Sequence, residues 1–205
     1  MKEFKSMPLG NFYERFNIPK DVIKLLFVGR LYPEKSIDTL IKAVPHIIKK
    51  HSNIHVMLVG AGHQRSKLEK LVKKLGVNKY VTFLGLVSEE DKILAYNACD
   101  IFVLPSLAEL EGMVVLEAMA SGACIIVSKV GGLSYLVTDK KDGRFFKSGD
   151  LQNLSEIIWE LLNNDKQRKD LGKSAIASSQ KYCWDIQAEK VVSIYKKLIR
   201  PVEKL

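Results

Sequence analysis

Two cations stand where a helix does not favour them. In Gly29-Arg30-Leu31-Tyr32-Pro33-Glu34-Lys35-Ser36, Arg30 and Lys35 come just ahead of a helical pattern that starts near Ile37. A helix N-terminus is already positive, so each cation there is unfavourable by roughly 0.3–1 kcal/mol. A bound anion resolves the conflict: an arginine fork and a lysine beside free backbone N–H groups, with Gly29 leading into them, suit a diphosphate. Spacing alone leaves a second reading equally open, in which Lys35 pairs with Glu34 or solvent and Arg30 with a nearby carboxylate.

A second segment, SLAELEGMVVLEAMASG from Ser106 to Gly122, follows an apolar run that ends at Pro105. Gly112 opens a short helix here, and the N–H groups of Gly112, Met113 and Val114 lack partners within that helix, so they can hold oxygen atoms of a ligand. Glu117 lies four residues after Met113 in the apolar stretch VVLEAMA and projects from the face below that N-terminus. A carboxylate among apolar neighbours needs donors, and ribose hydroxyls would supply two charge-assisted hydrogen bonds. The other reading makes Glu117 a surface group that complements the helix dipole. In a third segment, Gly131-Gly132, the glycines suit either close approach of a ligand to the backbone or a tight strand-to-helix turn.

Other chemistries lack their residues. Gly60-Ala61-Gly62-His63-Gln64-Arg65 resembles a dinucleotide fingerprint, but it follows the second strand and has Arg65 where the third glycine belongs. No GxxxxGK[ST] or G-x-S-x-G sequence occurs. His46, His51, His55 and His63 have no ligand spacing with cysteines or carboxylates, so no metal is expected. Cys99, Cys124 and Cys183 are an odd count without paired spacing, read as reduced structural thiols.

The elements that must position these loops follow from periodicity. Apolar, β-branched runs at 22–28, 54–59, 80–84, 101–104 and 123–127, with a weaker one at 144–146, read as strands. Helical spacing fills the intervals at 37–50, 64–75, 89–97, 113–120 and 133–137. Alternation of this kind implies parallel strands with helical crossovers, and strands apolar at nearly every position imply a sheet covered on both faces. The expected fold is α/β: a Rossmann-like, doubly wound parallel sheet of about six strands spanning 22–200, in which ligands bind beyond the carboxyl ends of the strands. Three helices at 150–163, 166–182 and 185–199 follow the sheet and are expected to pack on it, with Pro201 ending the last and a tail at 201–205. Residues 1–21, with Pro8, Gly10 and Pro19, look like a linker, and Pro45 should kink the helix that contains it.

The chain has 205 residues, 47% of them apolar, enough for one sizeable core. The opening MKEFKSMPLG is no signal peptide and no segment is apolar enough to span a membrane, so a cytoplasmic protein is expected. The net charge of +9 comes from lysines spread over most predicted helices, with no nucleic-acid module beside them. Solvated helix faces account for it, with peripheral contact at an inner membrane surface as the second reading.

In order, FVGRLYPEKSIDTLIKA, LVGAGHQRSKLEKL, VTFLGLVSEEDKILAYNACDIFVLPS, the Glu109–Glu117 pair separated by seven residues, KVGGLSYLV and YCWDIQAEKVVSIYKKL resemble the C-terminal, donor-binding domain of the retaining glycosyltransferases of GT-B fold known as group 1 or family 4. The resemblance covers roughly residues 10–200. It implies that Arg30 and Lys35 bind the donor diphosphate and stabilise charge on the leaving group, that Glu109 holds the transferred sugar, that groups near Gly112 to Val114 contact sugar and phosphate, that Glu117 binds ribose, and that the backbone near Val87 reads the base. No cofactor and no metal are implied. Glu109-Leu110-Glu111-Gly112 replaces the common E-G-F-G, so Glu111 competes with Glu109 and the spacing to Glu117 favours Glu109. Tyr135 stands where a glutamate is frequent, and Ser36 replaces a frequent glycine. The family's N-terminal acceptor-binding domain is missing from the sequence, so an acceptor-binding domain or subunit is the implied partner, and a lipid-linked or glycan acceptor is compatible. Other readings are a catalytically inert nucleotide-sugar binding module, a sugar epimerase and a phosphorylase; Glu109 beside Glu117 speaks against the first, and no pyridoxal lysine can be assigned for the last.

Overall fold

Strands that are apolar at most positions build the centre of the molecule. The computed structural model describes residues 8–199; the first seven residues of the linker-like segment, Pro201 and the 201–205 tail lie outside them. β1 (Ile23–Val28), β2 (Ile54–Val59), β3 (Val81–Gly85), β4 (Ile101–Leu104), β5 (Cys124–Ser128) and β6 (Arg144–Phe146) form one sheet in the order β3-β2-β1-β4-β5-β6. All five pairings are parallel. β2, β4 and β5 are buried at every residue, the mark of a sheet with helices on both faces. The strand order reverses between β1 and β4, which pair through Leu25 with Ile101 and Leu26 with Phe102. A crevice opens at such a reversal. The loop that leaves β1 carries Arg30 and Lys35, and the loop that leaves β4 carries Glu109 and leads into the helix that carries Glu117.

The crossover helices are shaped by their buried stripes. α2 (Ile37–Ile48) buries Ile37, Leu40, Ile41, Val44 and Ile47 at helical spacing and continues through Pro45. α3 (Arg65–Lys74) buries only Leu68 and Val72. α4 (Glu89–Asn97) is capped by Ser88, whose hydroxyl accepts from the Asp91 N–H at 3.1 Å. α5 (Met113–Ser121) leads to β5, and a single turn, α6 (Leu133–Leu136), follows it. α7 (Leu151–Leu162), capped by Asp150, packs on α2, while α8 (Asp165–Ser179) packs on α5 and β5. Gly172 makes the α8 contact possible, because a Cβ there would sit 2.2 Å from the Gly122 carbonyl oxygen.

Two segments differ from the sequence-based picture. Part of the linker-like stretch is packed onto the domain: α1 (Phe12–Arg15) inserts a fully buried Phe12, Ile18 is 5% exposed, and Arg15 forms an ion pair with Asp91. In contrast, α9 (Trp184–Leu198) does not pack on the sheet and buries no residue. Its Trp184, Val191, Tyr195 and Leu198 fall on one helical stripe, and all four are exposed. Periodicity correctly marks an apolar face; it carries no information about what covers that face.

Candidate functional site

The loop after β1 is held by backbone contacts that only glycine permits. The Gly29 N–H donates to Val59 O at 3.0 Å and the Leu31 N–H to Ala61 O at 2.9 Å. A Cβ on Gly60 would lie 1.9 Å from Gly29 O, and one on Gly62 would lie 2.4 Å from Leu31 O. The glycines of the dinucleotide-like GAGHQR segment therefore serve to seat one loop against the next. A 3-10 turn over Pro33–Lys35 then leads to Ser36, whose left-handed φ of +47° explains why glycine suits this position.

That path separates the two cations. The Arg30 side chain is 71% exposed, its Nη2 3.7 Å from Glu34 Oε1 and its guanidinium 5.1 Å from the centre of the Tyr32 ring. It is an accessible cation with weak local partners. Lys35 turns inward, and its Nζ meets Glu109 Oε2 at 2.5 Å, with only 14% and 13% of the two side chains exposed. Lys35 thus pairs with neither Glu34 nor solvent.

Glu109 reaches this position because three loops converge. The Leu107 N–H donates to Glu34 O at 2.7 Å, joining the loop after β4 to the loop after β1. Ser106 Oγ lies 3.4 Å from Glu109 Oε2. From the far side the Gly132 N–H donates to Glu109 O at 2.9 Å. A Cβ on Gly131 would be 2.2 Å from Glu109 O, and one on Gly132 would be 1.9 Å from Leu110 O. The close approach that Gly131-Gly132 allows is therefore to the backbone of the Glu109 loop. Glu111, two residues beyond Glu109, is exposed, and it is Glu109 that pairs with Lys35. Gly112, at φ +68°, then starts α5 with no side chain capping it, so no side chain takes up the first N–H groups of that helix. Met113 is 48% exposed there and Val114 is partly buried.

Glu117, one turn into α5, already has donors. The Tyr96 hydroxyl donates to its Oε2 at 2.8 Å, and Lys92 Nζ stands 3.4 Å from Oε1. The side chain is 22% exposed, neither a bare surface group nor an isolated buried one. Tyr96 is 1% exposed, and burial, followed by the Glu117 charge, holds its phenol well above the usual value, so it is a proton donor. Burial depresses the Lys92 ammonium, but Glu89 and Glu117 outweigh that and keep it fully charged. Neither residue stands out in the sequence; the available signal is Lys92 and Tyr96 at i, i+4 on a helix that buries Leu94 and Ala95 beside Tyr96. Val87 is partly buried in the loop that leads to Ser88 and α4, next to Leu86, which is 83% exposed.

Arg30, the α5 N-terminus, the Lys35–Glu109 pair and Glu117 lie on loops and helix starts at one end of the sheet. This combination can hold an anion beside hydroxyl groups. Among the described residues no three of His, Cys, Asp and Glu converge as a metal site, and no helix is long and apolar enough to cross a membrane.

Known proteins share this architecture and sequence. The family described as glycosyl transferases group 1 matches residues 11–178. The chain is 35% identical over 193 residues to an uncharacterized glycosyltransferase of Methanocaldococcus jannaschii, covering 91% of this chain and 48% of that protein. It is 30% identical over 188 residues to the D-inositol 3-phosphate glycosyltransferase of Corynebacterium urealyticum, covering 88% and 44%. The chain thus spans about half the length of these relatives. Among solved structures, HepE of Anabaena in complex with UDP superposes with a TM-score of 0.86 at 22% identity, over 96% of this chain and 55% of that one. Sucrose-phosphate synthase from Thermosynechococcus elongatus gives 0.84 at 30% identity, over 96% and 50%.

Proposed function

The chain belongs to the group 1 glycosyltransferases, and from that premise we propose that it is the donor-binding half of a retaining enzyme that moves a sugar from a nucleoside diphosphate to an acceptor hydroxyl. The observation that carries this reading is the joining of the loops after β1 and β4 at the strand-order reversal, through the Leu107–Glu34 backbone bond and the Lys35–Glu109 pair. Arg30, exposed beside them, and Lys35 take the diphosphate. Their charges, with the N–H groups of Gly112, Met113 and Val114, stabilise the negative charge that grows on the leaving nucleoside diphosphate. Glu109 accepts from hydroxyls of the transferred sugar, and its ion pair keeps the carboxylate in place before the sugar arrives. Glu117 accepts from the ribose, and the backbone around Val87 contacts the base. No divalent cation has a role in this scheme, because the basic side chains and the helix N-terminus supply the neutralising charge.

Transfer itself requires an acceptor-binding body on the open side of the site. The match to only about half of each relative supports this, as do the exposed Leu86, Leu107 and Leu110 around the rim and the uncovered stripe of α9. Tyr182, just ahead of α9, donates to Tyr135 O at 3.1 Å and so roots that helix beside the loop after β5. Calorimetric titration of the chain with UDP, GDP, ADP and their sugar conjugates tests the reading. One nucleotide should saturate, with affinity lost in Arg30→Ala/Lys35→Ala and reduced in Glu117→Ala. A folded chain that binds none of them would refute it.

A further inference from the structure

The ribose-binding role proposed for Glu117 asks for a carboxylate held in one orientation, and α4 supplies the means. The last torsion of a glutamate is broad, so a carboxylate on the rim of a crevice rotates unless something pins it. Two side chains one helical turn apart reach it, one per oxygen: the Tyr96 hydroxyl at 2.8 Å from Oε2 and Lys92 Nζ at 3.4 Å from Oε1. They differ in strength. Lys92 is shared with Glu89 at 2.8 Å, whereas Tyr96 is 1% exposed with its ring against Phe102, centroids 6.0 Å apart. The Tyr96 hydroxyl also lies 3.3 Å from Val114 O, but it has one proton, and the shorter contact with a charged acceptor is the stronger. An ionised carboxylate has about four acceptor positions. With one on each oxygen taken from the α4 side, one on each remains for two neighbouring hydroxyls.

We propose that Tyr96 is a positioning residue for nucleotide recognition: it fixes the Glu117 carboxylate so that its two remaining acceptor positions face a ribose diol, with Lys92 as a weaker second support. This rests on the donor-binding reading above. It also links two parts of one ligand, since α4 begins directly after the loop assigned to the base and carries, in its last turn, the residue that orients the ribose carboxylate.

The test is Tyr96→Phe, which retains the buried ring and removes only the hydroxyl. Calorimetry on the chain would use UDP, GDP and ADP, each beside its 2′,3′-dideoxy analogue, with thermal melting to verify the fold. The expected result is a loss of about tenfold in affinity for the complete nucleotide, as for a hydrogen bond to a charged group, and almost no loss for the dideoxy analogue. Lys92→Met should give a smaller loss with the same selectivity. Equal weakening of both ligands, or of neither, overturns the inference and leaves the donor-binding reading standing. Failure of the folded parent chain to bind any of the three nucleotides overturns that reading and the inference with it.

Discussion

Replacing Gly132 with alanine should damage the site from a position that no ligand need touch. The added Cβ would lie 1.9 Å from Leu110 O, where ordinary contact begins at 3.4 Å, and its next neighbours, 2.7 and 3.4 Å away, are backbone atoms as well. No side chain can swing aside, so the Glu109–Glu111 backbone must retreat by more than an ångström. Overpacking of this kind costs roughly 1–3 kcal/mol. The retreat also stretches the 2.9 Å bond from the Gly132 N–H to Glu109 O, a further loss of about 1 kcal/mol. A total of roughly 2–4 kcal/mol lowers Tm by about 5–15 °C in a domain of this size. Glu109 moves with its backbone, so the pair with Lys35 opens. Melting followed by calorimetry reads both consequences: the sugar conjugate should lose more affinity than the bare nucleoside diphosphate, because the displaced group is the one assigned to the sugar. Gly132→Ala protein that melts within a degree of the parent and binds both ligands equally well would show that the Gly131-Gly132 turn does not hold the Glu109 loop.

Other perturbations separate stability from binding. Arg30→Ala should leave stability within about 0.5 kcal/mol, since its 71% exposed side chain has only a 3.7 Å pairing with Glu34, yet it should weaken nucleoside diphosphate binding by at least about tenfold; urea titration and calorimetry on one preparation check both. Ser36→Gly relieves a left-handed φ of +47°, unfavourable by roughly 1–2 kcal/mol for a residue with a Cβ, while it strips the buried Thr39 hydroxyl of its 2.8 Å partner, a loss of about 1–3 kcal/mol; Ser36→Ala loses the same contact and keeps the strain, so in urea it should be less stable than Ser36→Gly by roughly 1–2 kcal/mol, and equal stability of the two variants would contradict the strain argument. His55, 3% exposed on β2, is depressed from 6.5 to about 4 by burial and then by the Lys24 charge. The unfolded chain therefore binds a proton that the folded one refuses between those two values. Stability should fall as pH drops from 6.5 to 4, by about 3 kcal/mol in all at 1.36 kcal/mol per unit, with a flatter urea-midpoint profile in His55→Gln; parallel profiles would refute the assignment.

Much of the scaffold is legible in the sequence because each strand is a short apolar run that has to be buried on both faces. The expected runs at 54–59, 101–104 and 144–146 coincide with β2, β4 and β6, and the other strands differ by a residue or two at their ends. The convergence of Lys35 on Glu109 is harder to read. Spacing places both at the C-terminal ends of strands, but the pair depends on the 2.7 Å bond between Leu107 N–H and Glu34 O, and backbone bonds between loops leave no residue signature. Tyr96 is hidden for a different reason: a tyrosine in KILAYN is indistinguishable from a core aromatic until the packing of α4 on α5 brings its hydroxyl to Glu117. Phe12 is a third case, an aromatic among the polar and proline-bearing residues of a linker-like stretch that is nevertheless fully buried. For α9 the pattern and the structure agree on an apolar stripe, and its exposure shows how far burial on this chain alone can satisfy it.

The most direct measurement of the central proposal is a crystal structure of the chain grown with the nucleoside diphosphate sugar that calorimetry selects. The account predicts the diphosphate between the Arg30 guanidinium and the N-terminus of α5, ribose hydroxyls on the Glu117 carboxylate and the sugar hydroxyls against Glu109. A nucleotide bound away from the β1 and β4 loops, or bound there with its diphosphate out of reach of Arg30 and Lys35, would contradict it.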